Sequence, residues 1–293
     1  MRILAERKAD LQPLYGLADE LITAMRATGR ERFLLLPLLG RGTDPHVAHS
    51  VNVAILCCAL GGLHGLDFEQ LRILCVAAFL HDAGRCIIPV EWAREQARLT
   101  VFERVVAHQH STWGFLLLGR DQDIPREFAV LAAYHHSNPM RSPSGQAYEP
   151  DVFHRILHIA DAYDLSVFDD RRYWRKHRQD RMLKSILRGR DRRYDPTTAK
   201  LLVNCVGYHP VGSLVRLDDG RRGVVVRPGA YNPERPKVWM FEEQPSQVVD
   251  LMDLDEAGLR FRYGVQGVLQ PEPGLDLRKL LAENAGQLLG ESL

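Results

Sequence analysis

The chain has 293 residues, too long for one small module, and a soft prior of about 150 residues per domain gives roughly two units. Hydrophobic residues make up 45% and charged residues 26%, an ordinary globular balance that buries a large core without disulfides or a structural metal. The net charge of +1 excludes a globally basic nucleic-acid binder and an acidic disordered chain. The opening Met1–Arg7 has no apolar run, so no signal peptide is expected. The longest apolar stretch, Val53–Leu63, falls short of the roughly 20 residues that span a bilayer. Five cysteines with no CxxC pair read as buried, reduced thiols of a cytoplasmic protein.

Residues 1–45 predict one or two helices, with Leu11, Leu14, Leu17, Leu21 and Ile22 at helical spacing. Asp44 is an expected N-cap, with Pro45 in the first turn of the next helix. From His46 to about Val206 nearly everything reads as helix. Val47, Val51, Ala54, Ile55 and Cys58 form one face, and Gly61-Gly62 is expected to end that helix. Phe68, Leu71, Leu74, Cys75, Ala78 and Phe79 form another stripe, which runs into His81-Asp82 and stops at Gly84. Segments 99–119, 125–136 and 151–165 are similar, while 137–149 reads as a loop. After Tyr208 the pattern changes to period two. Gly212–Leu217, Gly223–Val226 and Lys237–Phe241 predict three strands, with mixed structure after them and a helix near 275–290.

Histidine is the outlier: of 12, eight fall between His46 and His136. His49, His81-Asp82, His110, His135-His136 and Asp161 stand in order, all on or at the ends of predicted helices. Imidazole and carboxylate are the groups that hold divalent transition metals. A lone histidine on an apolar face is more often a satisfied core residue. The two doublets argue otherwise, because burying adjacent polar groups without partners is costly. Neighbouring ligands such as His81 and Asp82 point about 100° apart on a helix, which suits two metals side by side. His108 and His158 are candidates to orient ligands from behind, although ordinary buried histidines are the simpler reading.

His81-Asp82-Ala83-Gly84-Arg85 followed by Ile87-Ile88-Pro89 resembles the HD motif of the HD-domain phosphohydrolases, and most of all the HD-GYP branch, whose members hydrolyse cyclic di-GMP. His49, His110 with Gly114, the His135-His136 pair and the stretch Arg155–Asp164 are similar to the family's other segments, as are Asp170–Tyr173 and Tyr194–Pro196. The likeness covers roughly residues 46–212. It implies a mainly α fold with an HD-type helical bundle over 46–208, to which the residue patterning adds a helical segment 1–45 before it and a small β-rich subdomain 209–293 after it. It also implies two metal ions, iron or manganese with zinc or nickel as alternatives. One ion would take His49, His81, Asp82 and Asp161; the other would take Asp82, His110, His135 and His136, with Asp82 bridging. A third ion is not expected, because Pro45 stands where some members carry a glutamate. A hydroxide bridging such ions is an effective nucleophile towards a phosphodiester. Asp82 and Arg85 would act in catalysis, and Arg85 and Arg171 would bind the phosphate of a cyclic dinucleotide or other phosphate-bearing small molecule.

The chain departs from that pattern where the substrate would be held. The family has a glutamate after the paired histidines and then a GYP loop; here Ser137 follows, the loop is Pro/Ser-rich, and only Tyr148 offers a substitute tyrosine. Arg85 replaces the family's lysine and is not an equivalent group. Residues 171–194 carry 11 Lys/Arg against two Asp, a net +9 that leaves the rest of the chain at −8. That segment reads as a phosphate-facing wall or as a solvated helix face, with nucleic-acid contact as a third and lesser option. No membrane contact is expected, and the C-terminal subdomain is a candidate docking surface for protein partners. Two functions stay open: a metal-dependent phosphodiesterase, or a module that keeps its metals and binds cyclic di-GMP without efficient turnover.

Overall fold

The computed structural model describes residues 10–39, 44–88, 100–138, 151–167, 183, 185–186, 193–272 and 274–289. Three helices open it: α1 (Gln12–Thr28), α2 (Arg30–Phe33) and α3 (Leu36–Leu39). The next helix, α4 (Pro45–His64), begins where Asp44 accepts a hydrogen bond from the His46 N–H and Pro45 fills the first turn. Every residue from Asn52 to Gly61 is buried, so the middle of α4 is enclosed on all sides. It does not end at Gly61-Gly62 but runs on to His64 and stops at Gly65, which takes the left-handed conformation with φ 81°. Gly61 is there for close packing: a Cβ at that position would lie 2.6 Å from Leu71 Cδ2. At 20 residues α4 is long and apolar enough to cross a membrane, longer than the Val53–Leu63 run suggests. Its apolar window is 61% buried within the protein, however, as the core helix of a bundle would be.

A reciprocal capping box between Asp67 and Gln70 starts α5 (Phe68–Leu80), and a 3-10 turn follows at Ala83–Ile87. The predicted helix 99–119 is two helices, α6 (Val101–His108) and α7 (His110–Leu118), broken at Gln109. The bundle is completed by α8 (Arg126–Tyr134), α9 (Val152–Val167) and α10 (Pro196–Val206). Ile22, Leu60, Leu74, Phe128, Leu157 and Leu202, one from each of α1, α4, α5, α8, α9 and α10, meet in a single core. Cys57, Cys58, Cys75 and Cys205 are buried as thiols, but Cys86 is exposed on the 3-10 turn, contrary to expectation.

The fold is mainly α, with a small antiparallel sheet towards the C-terminus. Strands β1 (Leu214–Leu217), β2 (Arg222–Arg227), β3 (Lys237–Met240), β4 (Gln247–Asp250) and β5 (Val265–Val268) lie in the order β4-β3-β2-β1-β5. The last two are additional to the three predicted strands. Alternate residues feed opposite faces: Val224 and Val226 join Leu214 and Trp239 on one, while Val225 joins Val215, Val238 and Met240 on the other. The first face is covered by Leu277 and Leu281 of α11 (Leu277–Glu283) and Leu288 of α12 (Ala285–Leu289), the predicted C-terminal helix broken at Asn284. Leu35 from the N-terminal helices is buried in the same cluster. The sheet is therefore packed against the start of the chain.

Candidate metal centre

Helix ends build the site. His49 lies one turn into α4. His81 is the C-cap of α5, and Asp82 (φ −98°, ψ 14°) leads into the 3-10 turn. His110 is the first residue of α7, and His135 is the C-cap of α8 with His136 after it. Asp161 comes from α9, with Asp164 one turn further along the same face. A glycine contact sets the closest approach. A Cβ on Gly84 would lie 1.9 Å from His110 O and 2.4 Å from Gly114 N, so only glycine lets the Asp82 turn lie against α7.

Four rings have their protons assigned by what they touch. The Nδ1 atoms of His81, His110 and His135 lie 2.6, 3.0 and 2.8 Å from the carbonyl oxygens of Ala78, Ala107 and Ala132, three residues earlier in each case. His49 Nδ1 lies 2.6 Å from Asp164 Oδ2. Oxygens of these kinds accept, so each Nδ1 donates, and in a neutral ring Nε2 then turns its lone pair inwards. The inward nitrogens then crowd one another: His49 and His81 Nε2 are 3.2 Å apart, and His110 Nε2 is 2.9 Å from His136 Nε2 and 3.4 Å from His135 Nε2.

The carboxylates complete two groups. Asp82 Oδ1 is 3.2 Å from His110 Nε2 and 3.6 Å from His135 Nε2, while its Oδ2 is 3.8 Å from both His49 and His81 Nε2. Asp82, His110, His135 and His136 form one potential ligand set, and His49, His81 and Asp82 form another, with Asp82 in both. Asp161 spans them as well: Oδ1 is 3.1 Å from His49 Nε2 and Oδ2 is 3.2 Å from His136 Nδ1. Asp82 Oδ1 is buried and receives no hydrogen bond. Converging lone pairs and an orphaned buried carboxylate oxygen repel one another unless a cation lies among them. The donor set therefore fits a divalent metal site.

Electrostatics agree. Burial opposes ionisation of Asp82 and Asp161, but for Asp82 the neighbouring His81 and Arg85, and for Asp161 hydrogen bonds from His136 and His49, hold each well below the usual carboxylate range. Burial lowers His81 to about 4 and His110 to about 3, so both are neutral and ready to ligate. Burial also opposes charge on His49, yet Asp161 and Asp164 outweigh it and hold the ring up to about 10.

Arg85 is not aimed away from the centre: its Nε sits 2.5 Å from Asp82 Oδ2. Arg171 lies outside the described residues, as do Tyr148 and the 137–149 loop beyond Asn138; of His108, only the main chain is described. A cleft of about 210 Å³ opens beside the cluster, lined by His136, Asn138, His158, Asp161, Arg193 and Tyr194 among others. Arg193, near the end of the basic 171–194 run in sequence, lies on its wall. Sequence reasoning gave no separate role to Asp164, which orients His49. The usable signal was its position three residues after Asp161, on the same helix face.

A helical bundle that gathers histidines and aspartates from separate helix ends into one cluster, buried but for His136, defines a metal-binding helical domain. Residues 47–166 match the family model described as HD domain, and the chain carries an HD domain there. Over 247 residues it is 24% identical to a cyclic di-GMP phosphodiesterase of Borreliella burgdorferi, covering 83% of this chain and 62% of the relative. Over 212 residues it is 28% identical to a cyclic di-GMP phosphodiesterase of Pseudomonas aeruginosa, covering 69% and 51%. The chain thus spans roughly half to three-fifths of these relatives' lengths. An HDG"Y"P protein from Bdellovibrio bacteriovorus shares the fold, with TM-score 0.52 and 16% identity over 64% of this chain and 60% of that one. The resemblance to the HD-GYP branch therefore stands in sequence and in fold.

Proposed function

We propose that the chain is a metal-dependent phosphodiesterase of the HD-GYP type, acting on a cyclic dinucleotide or a related nucleotide. The observation that carries this is the pair of His/Asp groups joined at Asp82. His49, His81, Asp82 and Asp161 would hold one divalent ion, iron or manganese being the natural occupants, and Asp82, His110, His135 and His136 the other. Two bound ions would supply Lewis acidity towards phosphoryl oxygens and a water acidic enough to attack at neutral pH. The chain's own residues prepare the site. The Nδ1 bonds fix four imidazoles, and Arg85 braces Asp82 and keeps it ionised. Arg193 lies over the Tyr194 ring at 5.3 Å, giving the cleft a cation on a flat aromatic surface suited to a nucleotide. Arg171 is assigned to the ligand phosphate on the family resemblance.

One observation favours a second reading, a binding module with little turnover. Where the branch carries a glutamate, Ser137 closes a turn through its main chain, donating to Tyr134 O at 2.7 Å, and offers no carboxylate. Misplacing a scissile phosphate by about 1 Å costs on the order of a hundredfold in rate. The test is turnover by metal-replete protein, with Asp82→Ala as the blank. Asp82-dependent cleavage of bis(p-nitrophenyl) phosphate is expected, with cyclic di-GMP hydrolysed slowly or not measurably. Tight cyclic di-GMP binding with no cleavage of either diester establishes the second reading. Absence of metal after anaerobic preparation and reconstitution overturns both.

A further inference from the structure

Two histidines of α9 belong to neither metal group, yet both reach the end of α8. His154 Nε2 lies 2.8 Å from Tyr134 O, and His158 Nδ1 lies 2.7 Å from His135 O. A carbonyl oxygen only accepts, so each ring donates at the nitrogen named. The residues are 5% and 8% exposed, so these bonds are made out of reach of solvent. His158 donates from Nδ1 to His135 O, and its Nε2 is left buried with no partner. An apolar residue at 158 would avoid that cost. Simple core filling is a poor account of it.

What the two rings hold is the turn that carries the metal doublet. α8 ends without a left-handed glycine: His135 is its C-cap at φ −58°, ψ −24°. The last carbonyls of a helix lack partners within it. Here the Ser137 N–H bonds to Tyr134 O, so His135 and His136 are the two central residues of a tight turn, and the α9 histidines take the carbonyls on its inner side. The turn decides where both rings stand relative to His110 Nε2, now 3.4 and 2.9 Å away.

We propose that His154 and His158 are positioning residues, a pair of imidazole donors that clamp the main chain of the His135–His136 turn and so set the spacing of the second metal group. The proposal rests on the metal reading above. It explains why α9, which supplies Asp161, also carries histidines at the two preceding positions of that helix face.

The two clamps donate through different atoms, and this makes the idea testable. Asparagine carries its amide nitrogen two bonds from Cβ, as histidine carries Nδ1; glutamine carries its nitrogen three bonds out, as histidine carries Nε2. His158→Asn and His154→Gln should keep the donor, whereas His158→Gln and His154→Asn should misplace it. Each variant is purified, checked for folding by circular dichroism, and titrated with Mn2+ against a competing chelator, with stoichiometry from elemental analysis. The matched pair should keep two ions. The mismatched pair should bind the weaker ion about tenfold less tightly, the lower end expected for losing a partner behind a ligand, and fall towards one ion per chain. Equal behaviour of Asn and Gln at each position, including unfolding by both, overturns the clamp, because packing and not the donor would then decide. A wild type that takes up no metal overturns the metal reading itself and the clamp with it. A wild type with two ions and no crossed pattern overturns only the clamp.

Discussion

Asp164 is the most informative residue to remove. Its Oδ2 takes the Nδ1 proton of His49 at 2.6 Å, in a pair whose side chains are 10% and 3% exposed for His49 and Asp164. That bond holds the ring so that Nε2 faces Asp161 Oδ1 at 3.1 Å and His81 Nε2 at 3.2 Å. Asp164→Ala removes the acceptor and frees the ring to turn, while Asp164→Asn can still offer a neutral oxygen to the same proton. Partners behind a metal-bound histidine are typically worth 10–100-fold in metal affinity, or about 1.4–2.8 kcal/mol. Asp164→Ala should fall in that range and Asp164→Asn near its lower edge. There is also a proton to follow. In the metal-free chain Asp161 and Asp164 hold His49 up to about 10, so the ring is protonated at neutral pH and must lose that proton to ligate. Protons compete for the ring at every pH below its raised value, so metal affinity should rise with pH, by up to about tenfold per unit for one proton released. Without Asp164 the ring's pKa falls, the proton leaves earlier, and the slope between neutral pH and pH 9 should flatten. Chelator competition at several pH values, with calorimetry in buffers of different ionisation enthalpy to count protons, measures both effects. An Asp164→Ala protein with wild-type affinity and an unchanged slope would refute the reasoning.

Asp82→Ala should empty both metal positions, whereas His49→Ala should weaken mainly one; elemental analysis separates the outcomes, and loss of a single ion from Asp82→Ala removes the sharing role. Gly84→Ala should be worse than a surface change, since its methyl would lie 1.9 Å from His110 O and neither backbone can yield. Overpacking of this kind costs about 1–3 kcal/mol, and forcing Asp82 from His110 should lower metal content along with Tm. A chain ending at Val206 uncovers Leu35, 1% exposed beneath the C-terminal cluster, at a cost of about 1.5–3 kcal/mol in lost burial. It should melt earlier yet keep its metals, because no candidate ligand lies beyond Asp161; loss of the ions on truncation would show that the sheet completes the helical core.

The helical half was legible because periodicity and capping agree. Asp44, Asp67 and Asp195 each stand where a backbone N–H needs an acceptor, and the apolar stripes begin just after them. Gly61-Gly62 misled for a physical reason. Glycine weakens a helix on its own, but here the missing side chain of Gly61 admits Leu71, and tertiary contact outweighs propensity. Strands β4 and β5 are four residues each and largely unburied, so they carry no apolar alternation to read. They are held by pairing with β3 and β1 across the chain, and single-sequence patterns do not carry that information. The candidate ligands were legible as residue types in order. Their protonation was not. The i−3 carbonyl contacts that turn each Nε2 inwards depend on where a helix stops, and a pattern places a helix end only to within a few residues.

Those stopping points tie the metal centre to the fold. His81 and His135 each follow the last turn of a helix, and His110 follows the end of α6. The ring turns back to bond a carbonyl that a continuing helix would have used for its own i+4 partner. The same bond satisfies the orphaned carbonyl, sets the tautomer and directs the metal-facing lone pair. Histidine is the side chain that can do all three, because it donates at one nitrogen and ligates at the other. A substitution that lengthened α5 or α8 by one residue would leave every ligand present in the sequence. It would still disarm the site, since the carbonyl would return to the helix and the ring proton would lose its acceptor. This accounts for a chain that keeps its metal-directed geometry although its sequence departs from the resembled branch directly after His136. The ligands are held by helix ends locked into the bundle core, whereas Ser137, just past the end of α8, is only half-buried and bears none of those contacts through its side chain.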